Sequence, residues 1–141
     1  MQRDLVLGSL RAAPNEKVQG YVTLAGCTRL PVTLINGREP GQRILITAGV
    51  HGAEYPGILA ASELAAEIDP ADLAGSLAIV HLVNGEGFLA RMPALVPSDR
   101  KNINRVFPGR ADGTPAEQLA AFITAALGQG YGFYLDLHSG D

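Results

Sequence analysis

One cysteine, Cys27, stands in 141 residues, so no internal disulfide framework is possible and the chain suits a reducing compartment. Cys27 itself reads as a small, half-buried side chain. Basic residues are also few: 11 Lys and Arg against 14 Asp and Glu leave a net charge of −3, with no basic run. That excludes the polybasic surface that nucleic acid or an anionic membrane would demand. No apolar run approaches the ~20 residues of a membrane span. The N-terminus, MQRDLVLGSL, has no charged segment followed by a long apolar stretch, so no secretory signal is expected and the reading is cytoplasmic. Repeats, low-complexity tracts, charge blocks and an interdomain linker are absent as well. What is there is 47% hydrophobic and 18% charged, ordinary globular material of about one domain's length.

Residues 1–43 form a β-rich lead-in, broken by glycines and prolines, with Val18–Leu24 and Pro31–Ile35 as strand candidates and Asn36-Gly37 as a turn. An α/β core, 44–141, follows. Arg43–Val50 is an apolar run of the kind buried on both faces of a parallel sheet. Pro56 is placed to open a helix, continued at Ile58, Leu59, Ala61, Ser62, Leu64, Ala65 and Ile68. Leu77–Val83 reads as a second buried strand, with His81 in mid-strand as a sheet residue rather than a ligand. The stretch from Asn84 to Gly113 is rich in Gly, Pro and Asn, and a loop of that length inside a compact domain is functional or misassigned. Thr114-Pro115-Ala116-Glu117 has the capping-box spacing and opens a helix to about Leu127. Phe133–Leu137 makes the third strand. This alternation predicts an α/β layered fold with a largely parallel sheet, whose crevice lies beyond the strands' carboxyl ends. His51, Asn84 and His138 all fall there.

The chemistry concentrates at two strand ends. One ends in His51-Gly52-Ala53-Glu54, the other in Asp136-Leu137-His138. Two imidazoles and a carboxylate leave a coordination position for water, the make-up of a catalytic rather than a structural zinc site. The same set suits other divalent metals, and a bare His-x-x-Glu also fits simple polarity at a turn or helix cap. Gly52 frees the backbone to turn sharply. Asp136 points to the same face as His138, either behind a metal-bound imidazole or as a carboxylate satisfied by backbone N–H groups. In the loop Lys101–Gly109, Asn104 and Arg105 can grip a carboxylate through a guanidinium fork and an amide, or can simply be solvated. Arg91 and Arg100 are further cations able to stabilise an oxyanion.

Three motifs in order, GVHGAE, NINRVFPG and LDLHSGD, together with the lead-in LPVTLINGREPGQRILITAG, closely resemble the succinylglutamate desuccinylase/aspartoacylase family. That family is a branch of the zinc carboxypeptidase-like metallohydrolases, and the resemblance runs along essentially the whole chain. It implies a three-layer α/β fold with a mostly parallel or mixed sheet of the zinc carboxypeptidase-like type, truncated at its C-terminal side. Residues 1–141 would then be the N-terminal portion of a single catalytic domain. It further implies one Zn2+ held by His51, Glu54 and His138, with Asn104 and Arg105 on the substrate carboxylate. Arg91, or alternatively Arg100, would polarise the carbonyl. The implied activity is zinc-dependent hydrolysis of a linear amide, removing the acyl group from a small N-acylated amino acid or related carboxylate.

Two departures qualify this reading. Many members have Asp-Leu-Asn-Arg where this chain has Asn102-Ile103-Asn104-Arg105. The family's general-base glutamate lies well downstream of the second histidine, beyond this sequence, and Glu86, Asp99 and Asp136 have no motif-based claim to replace it. The 141 residues alone are therefore expected to bind zinc weakly and to hydrolyse N-acyl amino acids negligibly. An unfinished sheet should also show apolar surface and an unpaired edge strand, which a second copy could cover in a homo-oligomer. The rival readings are a carboxypeptidase-like peptide hydrolase and a non-catalytic zinc- or ligand-binding fragment.

Overall fold

The apolar run around residues 43–50 is the axis of the molecule. In a computed structural model that describes residues 1–25 and 28–140, it forms the end of β5 (Glu39–Ala48). Cys27 lies outside the described residues. Strands β6 (Ala74–Val80) and β7 (Phe133–Leu137) flank β5 in parallel. On the other side of β6, β4 (Arg29–Asn36) and then β3 (Glu16–Thr23) continue the sheet antiparallel, giving the order β3-β4-β6-β5-β7. The sheet is thus mixed, with its parallel half carrying the strands that end in the chemical motifs. A short hairpin of β1 (Leu5–Leu7) and β2 (Leu10–Ala12) precedes it, in pieces too short to register as strands by periodicity.

Helices cover both faces, as a sheet with buried central strands requires. Helix α1 (Tyr55–Glu67) packs on the face of Ile46, Ala48, Leu77 and Ile79. Its buried stripe is Gly57, Ala61 and Ala65, while Leu59 is 59% exposed. Small residues at a spacing of four let the helix lie directly on the sheet; a Cβ on Gly57 would meet the Leu137 carbonyl oxygen at 2.9 Å. Helix α3 (Pro115–Leu127) buries Leu119, Ala120 and Ile123 against Leu34, Leu45 and Val80 on the opposite face. Its start is held by the Glu117 carboxylate, which accepts from the Thr114 N–H at 2.8 Å.

Two expectations shift in detail. Strand β6 begins at Ala74 and ends at Val80, three residues earlier at each end than its apolar side chains suggest. Backbone pairing to β4 and β5 recruits Ser76, which carries no apolar signal. His81 therefore follows the strand; its N–H donates to the Pro31 carbonyl at 2.9 Å and its Nε2 lies 2.7 Å from the Thr33 hydroxyl. Burial holds its pKa below the ordinary histidine value, and its role is structural. The segment after it is not structureless. It contains α2 (Gly85–Ala90), a Val96–Lys101 bridge and a 3-10 turn, Ile103–Arg105, with Val96 and Ile103 fully buried.

Strand β7 forms one edge of the described sheet, with Phe133 58% and Leu135 48% exposed, the apolar edge anticipated from the sequence. Among the described residues no helix is long and apolar enough to cross a membrane.

Candidate metal centre

The parallel pairing of β5 with β7 brings the two strand-end motifs together. Thr47 is the register partner of Asp136 and Ala48 that of Leu137, so His51 and His138 leave the sheet side by side. Their rings meet edge to face with centroids 5.0 Å apart. Glu54 stands between them and is buried. Its Oε1 is 2.8 Å from His51 Nδ1, its Oε2 is 2.8 Å from His138 Nδ1, and Oε2 also accepts from the Ser139 N–H at 3.1 Å. Glu54 occupies the N-cap position of α1 yet makes no cap hydrogen bond. Turn polarity would have sent the carboxylate back to the helix; it faces two imidazoles instead.

One ligand atom from each of His51, Glu54 and His138 lies within 4.8 Å of the others, so the group can hold a metal ion. The ring orientations fit that use. Each imidazole turns Nδ1 inward, and each Nε2 is met by an oxygen outside the cluster: Asp136 Oδ2 at 2.7 Å for His138, Asn102 Oδ1 at 3.2 Å for His51. Outer partners that fix ring and tautomer are the usual accompaniment of metal-binding histidines. Asp136 is itself held, because the buried Thr47 hydroxyl donates to its Oδ1 at 2.6 Å and lies 2.9 Å from the Tyr134 hydroxyl. Burial, offset in part by the Thr47 contact and reinforced by the charge of Asp136, pushes the Tyr134 phenol up to about 12, so it stays neutral. Thr47 escaped the sequence reading because one hydroxyl inside an apolar strand looks like any strand threonine. Only the register with β7 shows what it touches.

The charges of the cluster support one another. Burial alone would raise the Glu54 carboxyl, but the His51 hydrogen bond, the Ser139 N–H and the charge of His138 outweigh it and hold it below the ordinary value. Burial likewise opposes charge on His138, yet Asp136 and then Glu54 raise it. The linkage has opposite signs for the two groups. Glu54 stabilises the fold above its ordinary pKa near 4.5, an effect lost as pH falls through its lower folded value. His138 stabilises fully below its ordinary 6.5, an effect lost as pH rises through its raised folded value. Without metal, both contributions coexist between those two ordinary values. Urea midpoints at pH 5.5, 3.5 and 8.5 are expected to be highest at 5.5. In His138→Ala the alkaline fall should shrink; an unchanged fall would assign it to other groups.

Other expected residues are placed less tightly. Asn104 Nδ2 is 3.5 Å from His138 Nε2, so the 3-10 turn overhangs the cluster. Arg105 is exposed and has no carboxylate partner among the described residues. Arg91 and Arg100 are both exposed with left-handed backbone, φ 53° and 56°; Arg91 closes α2. Asn84 is a cap: its Oδ1 accepts from the Gly87 N–H at 2.8 Å. A cavity of about 310 Å³ beside it is bordered by Arg29, Glu86 and Leu89 and includes none of the three clustered residues.

A model of the succinylglutamate desuccinylase/aspartoacylase catalytic domain matches residues 40–141. The chain belongs to this family. An N-alpha-acetyl-L-2,4-diaminobutyric acid deacetylase from Halomonas elongata is 37% identical over 115 residues, 82% of this chain and 33% of that protein. The product-bound ectoine utilization protein EutE (DoeB) from Ruegeria pomeroyi superposes with a TM-score of 0.82 at 30% identity, over 99% of this chain and 44% of its own. A succinylglutamate desuccinylase/aspartoacylase from Rhodobacter sphaeroides gives a TM-score of 0.79 at 30% identity, over 87% and 40%. The chain thus spans a third to under a half of the relatives it matches. The mixed α/β architecture is the one these relatives share.

Proposed function

We propose that residues 1–141 are the N-terminal portion of a single zinc-hydrolase domain that deacylates small N-acyl amino acids. The observation that carries this reading is the convergence of His51, Glu54 and His138 within 4.8 Å at the strand ends of a chain in this family. The Halomonas deacetylase relative supports hydrolysis of an acyl amide as the reaction. In this reading His51, Glu54 and His138 hold one Zn2+, and Asp136 and Asn102 keep the two imidazoles turned inward. A zinc ion there would supply a water whose pKa is lowered to about 7 and a Lewis acid for the amide carbonyl. Asn104 and Arg105 bind the substrate carboxylate and orient the amide toward the cluster. Arg91 stabilises charge developing on the carbonyl oxygen.

The proton acceptor is a separate matter. Glu86 accepts from the Ser98 N–H, Asp99 from the Lys101 and Ala116 N–H groups, and Asp136 is engaged by Thr47 and His138. None of these carboxylates is disposed as a general base, so hydrolysis by the 141 residues alone is expected to be negligible. Metal-dependent turnover by the isolated chain would overturn that statement.

The test uses the longest natural form of the protein: zinc content, and hydrolysis of a panel of N-acetyl and N-succinyl amino acids. Absence of both zinc and hydrolysis would leave a binding module. Within that test, Arg105→Lys keeps the charge but loses the bidentate fork, and is expected to raise KM by about tenfold with kcat changed little. A fall in kcat at constant KM would place Arg105 at the reacting bond instead.

A further inference from the structure

The cavity beside Asn84 has a build of its own, separate from the metal cluster. Its floor is apolar and closed, with Val83, Val96 and Leu119 all buried. Leu89, 82% exposed, borders it one turn of α2 after Glu86. Its volume of about 310 Å³ stands at the small end of the range for ligand sites. Two opposite charges also border it, Arg29 and Glu86, and each is anchored with bonding capacity to spare. The Arg29 guanidinium lies over the Tyr21 ring, 4.1 Å from its centroid. That contact uses the guanidinium face and leaves its N–H edge open to a carboxylate. Glu86 Oε2 accepts from the Ser98 N–H at 3.2 Å, which leaves Oε1 to accept from a cation. Among the described residues the two charges form no ion pair, with each other or with a third group.

We infer that this cavity is a second binding site, for a small α-amino acid with an apolar side chain. Opposite charges held apart over one apolar floor match a ligand that carries both signs. Arg29 takes the carboxylate, Glu86 takes the ammonium, and the side chain lies on Val83, Val96 and Leu119. A ligand with one charge forfeits one of the two charge-assisted contacts and binds more weakly. The site is independent of the metal reading, because His51, Glu54 and His138 do not border it.

The experiment follows leucine and valine methyl signals by NMR in the longest natural form of the protein, titrated with L-norvaline. Pentanoate and n-butylamine, which each keep one of its two charges, are titrated in parallel. L-Norvaline is expected to shift Leu89, Val96 and Leu119 saturably and to bind about tenfold more tightly than either analogue. Arg29→Gln and Glu86→Gln, with folding checked by circular dichroism, are each expected to weaken it by about tenfold. His138→Ala, which breaks the metal cluster, should bind L-norvaline as wild type does. No saturable shift at these methyls would overturn the site, and equal binding of either analogue would overturn its ligand class. Binding lost in His138→Ala would assign the amino acid to the metal cluster and remove the second site. Wild-type binding by both charge variants would overturn the roles of Arg29 and Glu86; should one variant fail to fold, the other decides.

Discussion

His138→Ala is expected to lose zinc binding by at least a hundredfold and, in the longest natural form of the protein, to lose detectable hydrolysis of N-acyl amino acids. His138 offers Nδ1 to the cluster from β7, while His51 and Glu54 both come from the turn after β5. Without it, only two neighbouring ligands remain, and the ion is no longer held from two strands. Structural zinc sites with four ligands bind with ~10–16 kcal/mol, so a single ligand is worth about 3 kcal/mol, roughly a hundredfold in affinity. The substitution also leaves Asp136 Oδ2 and Glu54 Oε2 each without the imidazole they now meet. Two carboxylates close to an empty corner repel each other, which adds to the loss of order at the site. Zinc titration and metal analysis of the purified variant provide the check. Wild-type stoichiometry and affinity would remove His138 from the proposed ligand set.

Gly52→Ala is expected to be the most damaging single methyl group in the region. An alanine Cβ there would fall 2.3 Å from the Phe88 nitrogen and 2.5 Å from the Gly87 carbonyl carbon. Both are backbone atoms of α2, so no side chain can swing aside; the helix or the turn must move. Overpacking of this kind costs about 2–3 kcal/mol, or roughly 6–12 °C in Tm for a chain of this length. The turn that moves carries His51 and Glu54, so zinc affinity should fall with stability. Gly85→Ala is the internal control, since its Cβ would meet nothing within 4 Å and it opens the same helix. Its Tm should stay within about 2 °C of wild type. Equal melting temperatures for the two variants would show that α2 does not press on the Gly52 turn.

That glycine marks how far local reasoning reaches. From the sequence, Gly52 is there to let the chain turn. In the fold the need is steric, a close approach by a helix some 35 residues later in the chain. The principal strands, α1 and α3 were legible because apolar periodicity and capping residues act over a few neighbours. Boundaries failed where side-chain signal and backbone pairing part company, as at Ser76 of β6. The buried face of α1 was not legible for a related reason. Apolar spacing defines a stripe on α1, but the small residues Gly57, Ala61 and Ala65 set which part of it touches the sheet.

The proposed metal ligands themselves were legible as types and positions: His51, Glu54 and His138 stand at strand ends whatever the register. Their assembly was not. Glu54 and Ser139 are 85 residues apart and His51 and Asn102 are 51 apart, and no periodicity spans such distances. The pairing of Thr47 with Asp136 across β5 and β7 aligns the two strand ends, points both Nδ1 atoms at one carboxylate and ties Thr47 and Tyr134 to the same network. A shift of one residue would turn Asp136 to the opposite face, away from Thr47. Local chemistry thus supplied the candidate ligands, the helix caps and the buried runs; the parallel register of two strands, a long-range packing decision, brought three of those residues into one cluster.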